Sequence, residues 1–241
     1  MEKSAAIISD IHLCEDNKII ADSFIHYIDT IAPKHESVYI IGDLFEFWVG
    51  DDNNSNFNQN IMNKLKKLSK TTKLYFQAGN RDFLVGSEFC EKTGCTFLPD
   101  IYTTKIHGKK ILLTHGDLLL TKDIEYQKFR RFIQNELTKK IFLKIPLKYR
   151  IKIAANRRKK STHIVMNTDN NKFIVDDKLI KKLSRENDAD LFVFGHIHKT
   201  SIKQNNNYNT ISIPDWKNDN HSIELVINND GTVELKRHKN K

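Results

Sequence analysis

Short apolar runs alternate with longer amphipathic stretches through the first half of the chain. Ala5–Ser9, Val38–Ile41 and Leu74–Ala78 read as strands, while the stretches from about Lys18 to Ile31 and from Asn58 to Ser69 repeat their apolar positions at helical spacing. Strand, helix, strand in that order predicts a layered α/β sheet. After one more strand, Ile111–Thr114, the pattern becomes helical from about Asp123 to Lys160, and Pro146 should break that stretch in two. A helix near Asp176–Glu186 leads into Leu191–Phe194. The tail then reads as antiparallel strands, Thr200–Lys203, Tyr208–Ile213, Ser222–Ile227 and Thr232–Lys236, joined by Asn-rich and Asp230-Gly231 turns. The expected organisation is an α/β core made of residues 1–120 and 165–241, with residues 121–164 inserted as a basic helical cap.

Composition narrows the class. A chain of 241 residues that is 39% hydrophobic can fill a real core, which excludes a disulfide mini-protein and a disordered chain. Its three cysteines, Cys14, Cys90 and Cys95, are odd in number and form no CxxC pair, so neither a secreted disulfide framework nor a cysteine zinc site is expected. No apolar run approaches the ~20 residues of a membrane span, and Met1-Glu2-Lys3-Ser4 leads straight into a strand rather than a signal sequence. A cytoplasmic, reducing location follows. The net charge of +9 is concentrated: ten Lys and Arg and no acid lie between Lys139 and Lys160, without which the chain would be close to neutral.

That segment admits three readings. It could be a solvated helical face. It could be a nucleic-acid patch, but Phe142 and Tyr149 alone are thin material for base stacking, and no nucleic-acid partner is expected. The favoured reading is engagement of an anionic membrane surface, because Ile141, Phe142, Leu143, Ile145, Leu147, Ile151 and Ile153 are interleaved with the cations.

The candidate chemistry sits where strands end. Ser9 is followed by Asp10-Ile11-His12, Ile41 by Gly42-Asp43, Ala78 by Gly79-Asn80-Arg81-Asp82, Thr114 by His115-Gly116-Asp117, and Phe194 by Gly195-His196-Ile197-His198. In open α/β sheets ligands bind outside the carboxyl ends of the strands, so these five loops should converge. Any one of the residues could be a turn or cap residue. Together Asp10, Asp43, His12, His115, His196, His198 and Asn80 make an oxygen and nitrogen donor set without thiolate, which suits Mn, Fe, Zn or Co. A carboxylate such as Asp43 can bridge two ions about 3.5 to 4 Å apart.

These five blocks, in this order, resemble those of the calcineurin-like metallophosphoesterases over residues 5 to 215. The resemblance implies a layered β-sandwich flanked by helices, with an inserted helical cap. It further implies two Mn²⁺ ions, one held by Asp10, His12, Asp43 and His198 and the other by Asp43, Asn80, His115 and His196. Most of that family has a histidine after Gly-Asn, and here Arg81 stands there. An arginine cannot give up a proton at neutral pH but can stabilise developing charge, which favours an already acidic leaving group and hence a phosphoanhydride over a simple monoester.

The run Gly42-Asp43-Leu44-Phe45-Glu46-Phe47-Trp48-Val49-Gly50-Asp51-Asp52, with Ser9–Leu13, Gly79–Leu84 and Thr114–Asp117, is similar to the branch of the family that hydrolyses UDP-2,3-diacylglucosamine. What that implies is a monomer at the cytoplasmic face of the inner membrane, in lipid A biosynthesis. Metal-activated water would attack the α-phosphorus to give UMP and 2,3-diacylglucosamine 1-phosphate. Asn80 and Arg81 would be catalytic, and Asn80, Arg81, Asp123, Ser161 and His196 would bind substrate. Tyr126-Gln127 also resembles a pair of cap positions that contact the glucosamine phosphate. Other nucleotide pyrophosphates or cyclic nucleotides are the alternative substrates, and a metal-binding scaffold without catalysis is the alternative class.

For the remaining residues, core packing is the expectation for Phe45, Phe47, Trp48 and Trp216, and a structural role for Asp82 and Asp117. Glu46, Asp51 and Asp52 divide evenly between orienting metal ligands and forming a solvated turn.

Overall fold

The computed structural model describes residues 4–167 and 174–239, with the side chains of 158–167 outside the description. Two sheets face each other. The first has six strands in the order β11-β10-β1-β2-β3-β4, with β1 at Ser4–Ile8, β2 at His35–Ile41, β3 at Lys73–Gln77, β4 at Thr96–Leu98, β10 at His221–Ile227 and β11 at Val233–Lys239. The second has five in the order β5-β6-β7-β9-β8, with β5 at Tyr102–Ile106, β6 at Lys109–Thr114, β7 at Leu191–Phe194, β8 at Ser201–Gln204 and β9 at Asn209–Ser212.

The continuous apolar runs are explained by burial on both faces. In β1, Ala5 and Ile7 point between the sheets to meet Ile41, Leu113, Val193 and Ile211. Ala6 and Ile8 point the other way, against a helical layer that supplies Phe24, Ile61 and Leu65. Those residues belong to α1 (Lys18–His26) and α2 (Asn56–Leu68), and α3 (Ser87–Thr93) adds Phe89. On the outer face of the second sheet, Leu112, Phe192 and Phe194 meet Ile180 and Leu183. The result is the expected layered sandwich flanked by helices.

Local chemistry sets the helix ends. Asn17 and Ser55 cap α1 and α2 by accepting from Ile20 N and Asn58 N. The helix expected to run to Ile31 is α-helical only to His26, then widens into a π turn, Tyr27–Ile31, and stops in a 3₁₀ turn containing Pro33. Three short elements, α3, β4 and β5, had no strong periodicity to announce them. The tail departs from the all-antiparallel expectation. β9 pairs parallel with β7 as well as antiparallel with β8, and β10 and β11 cross over to the first sheet.

Three helices stand between β6 and the helix α7 at Asp177–Glu186: α4 (Ile124–Gln134), α5 (Glu136–Leu143) and α6 (Leu147–Asn167). Pro146 precedes α6 as expected. A second break falls at Asn135, whose side chain caps α5 by accepting from Leu137 N and Thr138 N. Neither α4 nor α5 buries a residue.

Candidate metal centre

All five loops arrive at the same pole of the sandwich. Two donor groups form there among the described residues, Asp10 with His12 and His198, and Asp43 with His115 and His196, the ligand atoms of each lying within 4.8 Å of one another. In the first, His12 Nε2 lies 3.2 Å from His198 Nε2, and His198 Nε2 lies 3.4 Å from Asp10 Oδ1. In the second, His115 Nε2 lies 3.2 Å from His196 Nδ1, 3.6 Å from Asp43 Oδ1 and 3.1 Å from Asn80 Oδ1. Asn80 therefore joins the second group. All seven ligand candidates are brought together.

The backbone is bent to make this possible. Asp10, His12, Asp43, His196 and His198 all have φ between 53° and 67°, a region non-glycine residues rarely occupy. Such conformations cost on the order of 1–3 kcal/mol each and persist only where the surroundings enforce them. Here Asp82 does much of the enforcing. Its buried carboxylate accepts from Gly79 N and Leu44 N at 2.7 Å, from Asp43 N at 3.3 Å and from Phe45 N at 3.4 Å, clamping the Asp43 and Asn80 loops together. Gly79 is obligatory, because a Cβ there would collide with the Asp43 carboxylate.

A further layer of groups orients the rings. His115 Nδ1 is placed to donate to Ile41 O at 3.1 Å, which turns its Nε2 toward Asp43. Asp215 lies 3.8 Å from His198 Nδ1, and Glu46 lies 3.7 Å from His12 Nδ1. Glu46 also accepts from Arg81 Nη1 at 3.0 Å, while Arg81 N donates to Asp43 Oδ1 at 2.9 Å. Asp117 is buried beside His115 and accepts from Tyr126 OH at 2.9 Å and Arg130 Nε at 2.7 Å. The Tyr126 ring in turn stacks near His196, with centroids 6.2 Å apart.

Burial dominates the electrostatics. It pushes the His12 and His196 imidazoles down to about 3, which leaves them neutral near pH 7. Burial opposes protonation of His115 too, but the carboxylates of Asp43, Asp10, Asp117 and Asp82 outweigh it and raise that imidazole to about 9. Asp43 is pushed up to about 7 by burial, with the nearby Asp82 and Asp10 adding to the effect. Burial would also raise Asp10, yet the imidazoles of His198, His115 and His12 take it well below the usual carboxylate range.

The donor set fits divalent metal. Buried Asp10 Oδ1 has no hydrogen-bond partner among the described residues, and imidazole nitrogens and carboxylate oxygens converge on the same place.

Other predicted residues fall elsewhere. Asp123 caps α4, its side chain accepting from Tyr126 N at 3.1 Å. Ser161 lies in α6, but its side chain falls outside the described residues. Phe45 and Trp48 are buried core, each meeting Phe89 edge to face. Trp216 is buried against Phe24 and Tyr27, and its backbone N–H donates to Asp10 O at 3.1 Å. Arg150, one of the ten basic residues between Lys139 and Lys160, is only 2% exposed and is paired with Asp52. Nothing in the sequence set Arg150 apart, whereas Asp82 and Asp117 were marked by following a block directly.

Residues 4–200 match the family model of the calcineurin-like phosphoesterases. The chain is 36% identical over 222 residues to a UDP-2,3-diacylglucosamine hydrolase of Haemophilus influenzae (strain PittGG), covering 92% of this chain and 94% of that one. It is 37% identical over 233 residues to a UDP-2,3-diacylglucosamine hydrolase of Neisseria meningitidis serogroup C (strain 053442), covering 96% of this chain and 97% of that one. An archaeal phosphodiesterase of known structure shares the fold, with a TM-score of 0.52 at 12% identity over 98% of this chain and 99% of that one.

Proposed function

Because the chain belongs to the calcineurin-like phosphoesterase family, we propose that it hydrolyses the pyrophosphate bond of UDP-2,3-diacylglucosamine, giving UMP and 2,3-diacylglucosamine 1-phosphate in lipid A biosynthesis. What carries this is the extent of the likeness. Identity to two hydrolases of that name runs over more than nine-tenths of the chain, so it spans the cap as well as the metal-ligand loops.

Two divalent ions would be held by Asp10, His12 and His198 and by Asp43, Asn80, His115 and His196, with Asp43 shared; oxygen and nitrogen donors suit Mn²⁺. Bound there, they would supply Lewis acidity and a lowered pKa for water. The chain's own residues do the rest. Arg81, 26% exposed and steadied by Glu46, points its guanidinium at the site and stabilises charge on the departing sugar phosphate. Asn80 turns its carboxamide to the same place, and His196, Asp123 and Ser161 would contact the substrate phosphate and sugar. No proton need be delivered by a side chain, because the leaving group is itself a phosphate.

The cap, residues 121–164, meets the lipid. No helix among the described residues is long and apolar enough to cross a membrane. Instead Ile124, Phe132, Leu137, Ile141 and Tyr149 are exposed on the same helical insertion that carries Lys139, Lys140, Lys144 and Lys148, which suits peripheral attachment of a monomer at the cytoplasmic face of the inner membrane. The test is a side-by-side assay of Mn-loaded protein on UDP-2,3-diacylglucosamine, UDP-glucose and a nitrophenyl phosphate ester. Strong preference for the diacyl compound, with UMP as product, is expected; comparable turnover of acyl-free substrates would refute the assignment.

A further inference from the structure

Arg150 enters from α6 and is the buried exception among the described cations of the Lys139–Lys160 segment. Its Nε donates to Ile145 O at 2.7 Å, its Nη1 to Val49 O and to Asp52 Oδ1 at 2.9 Å, and its Nη2 to Asp52 Oδ2. The guanidinium thus satisfies one cap carbonyl and, on the core, a carbonyl and a bidentate carboxylate. A lysine could match the charge but not this fork. The loop is shaped around it: Gly50 has φ +132°, and a Cβ there would strike Arg150 Nη1 and come within 2.8 Å of Leu143 Cδ2 and Asp52 Oδ1.

That loop leads directly to the site. Trp48 N donates to Arg81 O at 3.0 Å, and Glu46 accepts from the Arg81 guanidinium. Trp48 Nε1 donates to Asp51 Oδ1 at 2.9 Å, and Asp51 also accepts from Gly86 N and Phe89 N, tying the loop to α3. At the other end of the cap, Arg130 and Tyr126 grip Asp117 beside His115. Among the described residues these ties hold the cap to the loop after Asp43 and to the loop after His115, while Arg130 also reaches Asp100 and Phe142 packs against the core.

We propose that Arg150 is a positioning residue that locks the second end of the cap onto the Val49–Asp52 loop and so sets the placement of the cap for the acylated substrate, without touching the reacting atoms. The identity of that substrate rests on the function proposed above. Asp52 is the matching half of the lock, and because its side chain is more than half exposed, changing it does not open the core.

The experiment compares wild type, Arg150→Met, Arg150→Lys, Asp52→Asn and the Arg150→Met/Asp52→Asn double variant. Each is assayed on UDP-2,3-diacylglucosamine in mixed micelles and on bis(p-nitrophenyl) phosphate. Bound metal and hydrogen exchange of α4 and α5 are measured alongside. Arg150→Met should raise KM for the diacyl substrate about tenfold or more, while metal content stays unchanged and the acyl-free rate stays within about twofold. Arg150→Lys should resemble Arg150→Met. Asp52→Asn should give a smaller shift in the same direction, and the double variant should be no worse than Arg150→Met. Cap exchange should quicken in all four. Unchanged KM and exchange in both single-site neutral variants, or parallel loss of metal and of both activities, would overturn the lock. If wild type itself fails on the diacyl substrate, the proposed function falls instead, and cap exchange still decides the role of Arg150.

Discussion

Asp10, His12, Asp43, His196 and His198 are held at positive φ in a pole where buried groups fix one another, whereas α4 and α5 of the cap bury nothing. Among the described residues the cap meets the core through the ion pairs of Arg130 with Asp117 and Asp100 and of Arg150 with Asp52, and through Phe142, which packs partly buried against the main core. The first region is over-determined and the second is lightly held. The contrast fits a division of labour in which the pole needs donors fixed to a fraction of an ångström, while the proposed role of the cap, receiving a two-chain lipid, calls for a lighter hold.

The largest expected effect is at the pole. Asp43→Ala removes the proposed shared ligand, so it should abolish turnover and lose at least one bound ion by metal analysis, with cap exchange unchanged. Arg81→Ala should lower kcat on the order of 10² with metal content intact. An unaltered rate would show that the arginine is incidental and would remove the main chemical support for an anhydride substrate.

The next effect tests whether the pole is held by its own hydrogen bonds. Asp82→Ala strands four backbone N–H groups that now share one carboxylate, and each buried unsatisfied donor costs about 1–3 kcal/mol. A large fall in Tm and weakened metal binding are expected, measured by calorimetry and metal titration. If Tm is unchanged, the loops are fixed by something other than Asp82.

The metal pole was legible in the sequence because each ligand follows an apolar strand long enough to read, and five loops in one order carry more information than any single motif. The cap was legible as a basic helical insertion but not in its attachment. Arg150 sits among Lys148, Lys152 and Arg157 with nothing local to mark it, since its partners Val49 and Asp52 lie about a hundred residues away in the chain. Long-range pairing also hid the sheet order. Tyr208–Ile213 has the same local pattern whether its neighbour runs parallel or antiparallel, and only the crossover past β7 decides. α3 and β4 are too short for periodicity to register.

Smaller effects are expected away from the pole. Reversing Lys139, Lys140, Lys144 and Lys148 to Glu should weaken binding to anionic vesicles, since each cation near such a surface contributes about 1 kcal/mol. It should leave turnover of a short-chain soluble analogue nearly unchanged. Vesicle binding equal to wild type would mean a merely solvated face.

The smallest effect concerns Glu224, buried on β10 and bonded to Tyr27 OH, His35 and His238. Burial would raise its carboxyl, but these partners prevail and hold it below the ordinary 4.5. A depressed folded-state value stabilises the fold above the ordinary pKa and ceases to do so as pH falls through the depressed one. The Tm of wild type should therefore drop more steeply than that of Glu224→Gln on acidification below 4.5. Parallel curves would remove Glu224 from the account.

The central claim is that metal held at the strand-end pole enables cleavage of the acylated sugar nucleotide. It is tested most directly by following UMP release from UDP-2,3-diacylglucosamine while wild-type protein is stripped with chelator and then titrated with Mn²⁺. No turnover is expected in the stripped protein, with recovery that saturates at two ions per chain. Full turnover in the chelated sample, or an inert protein after two ions have bound, would contradict it.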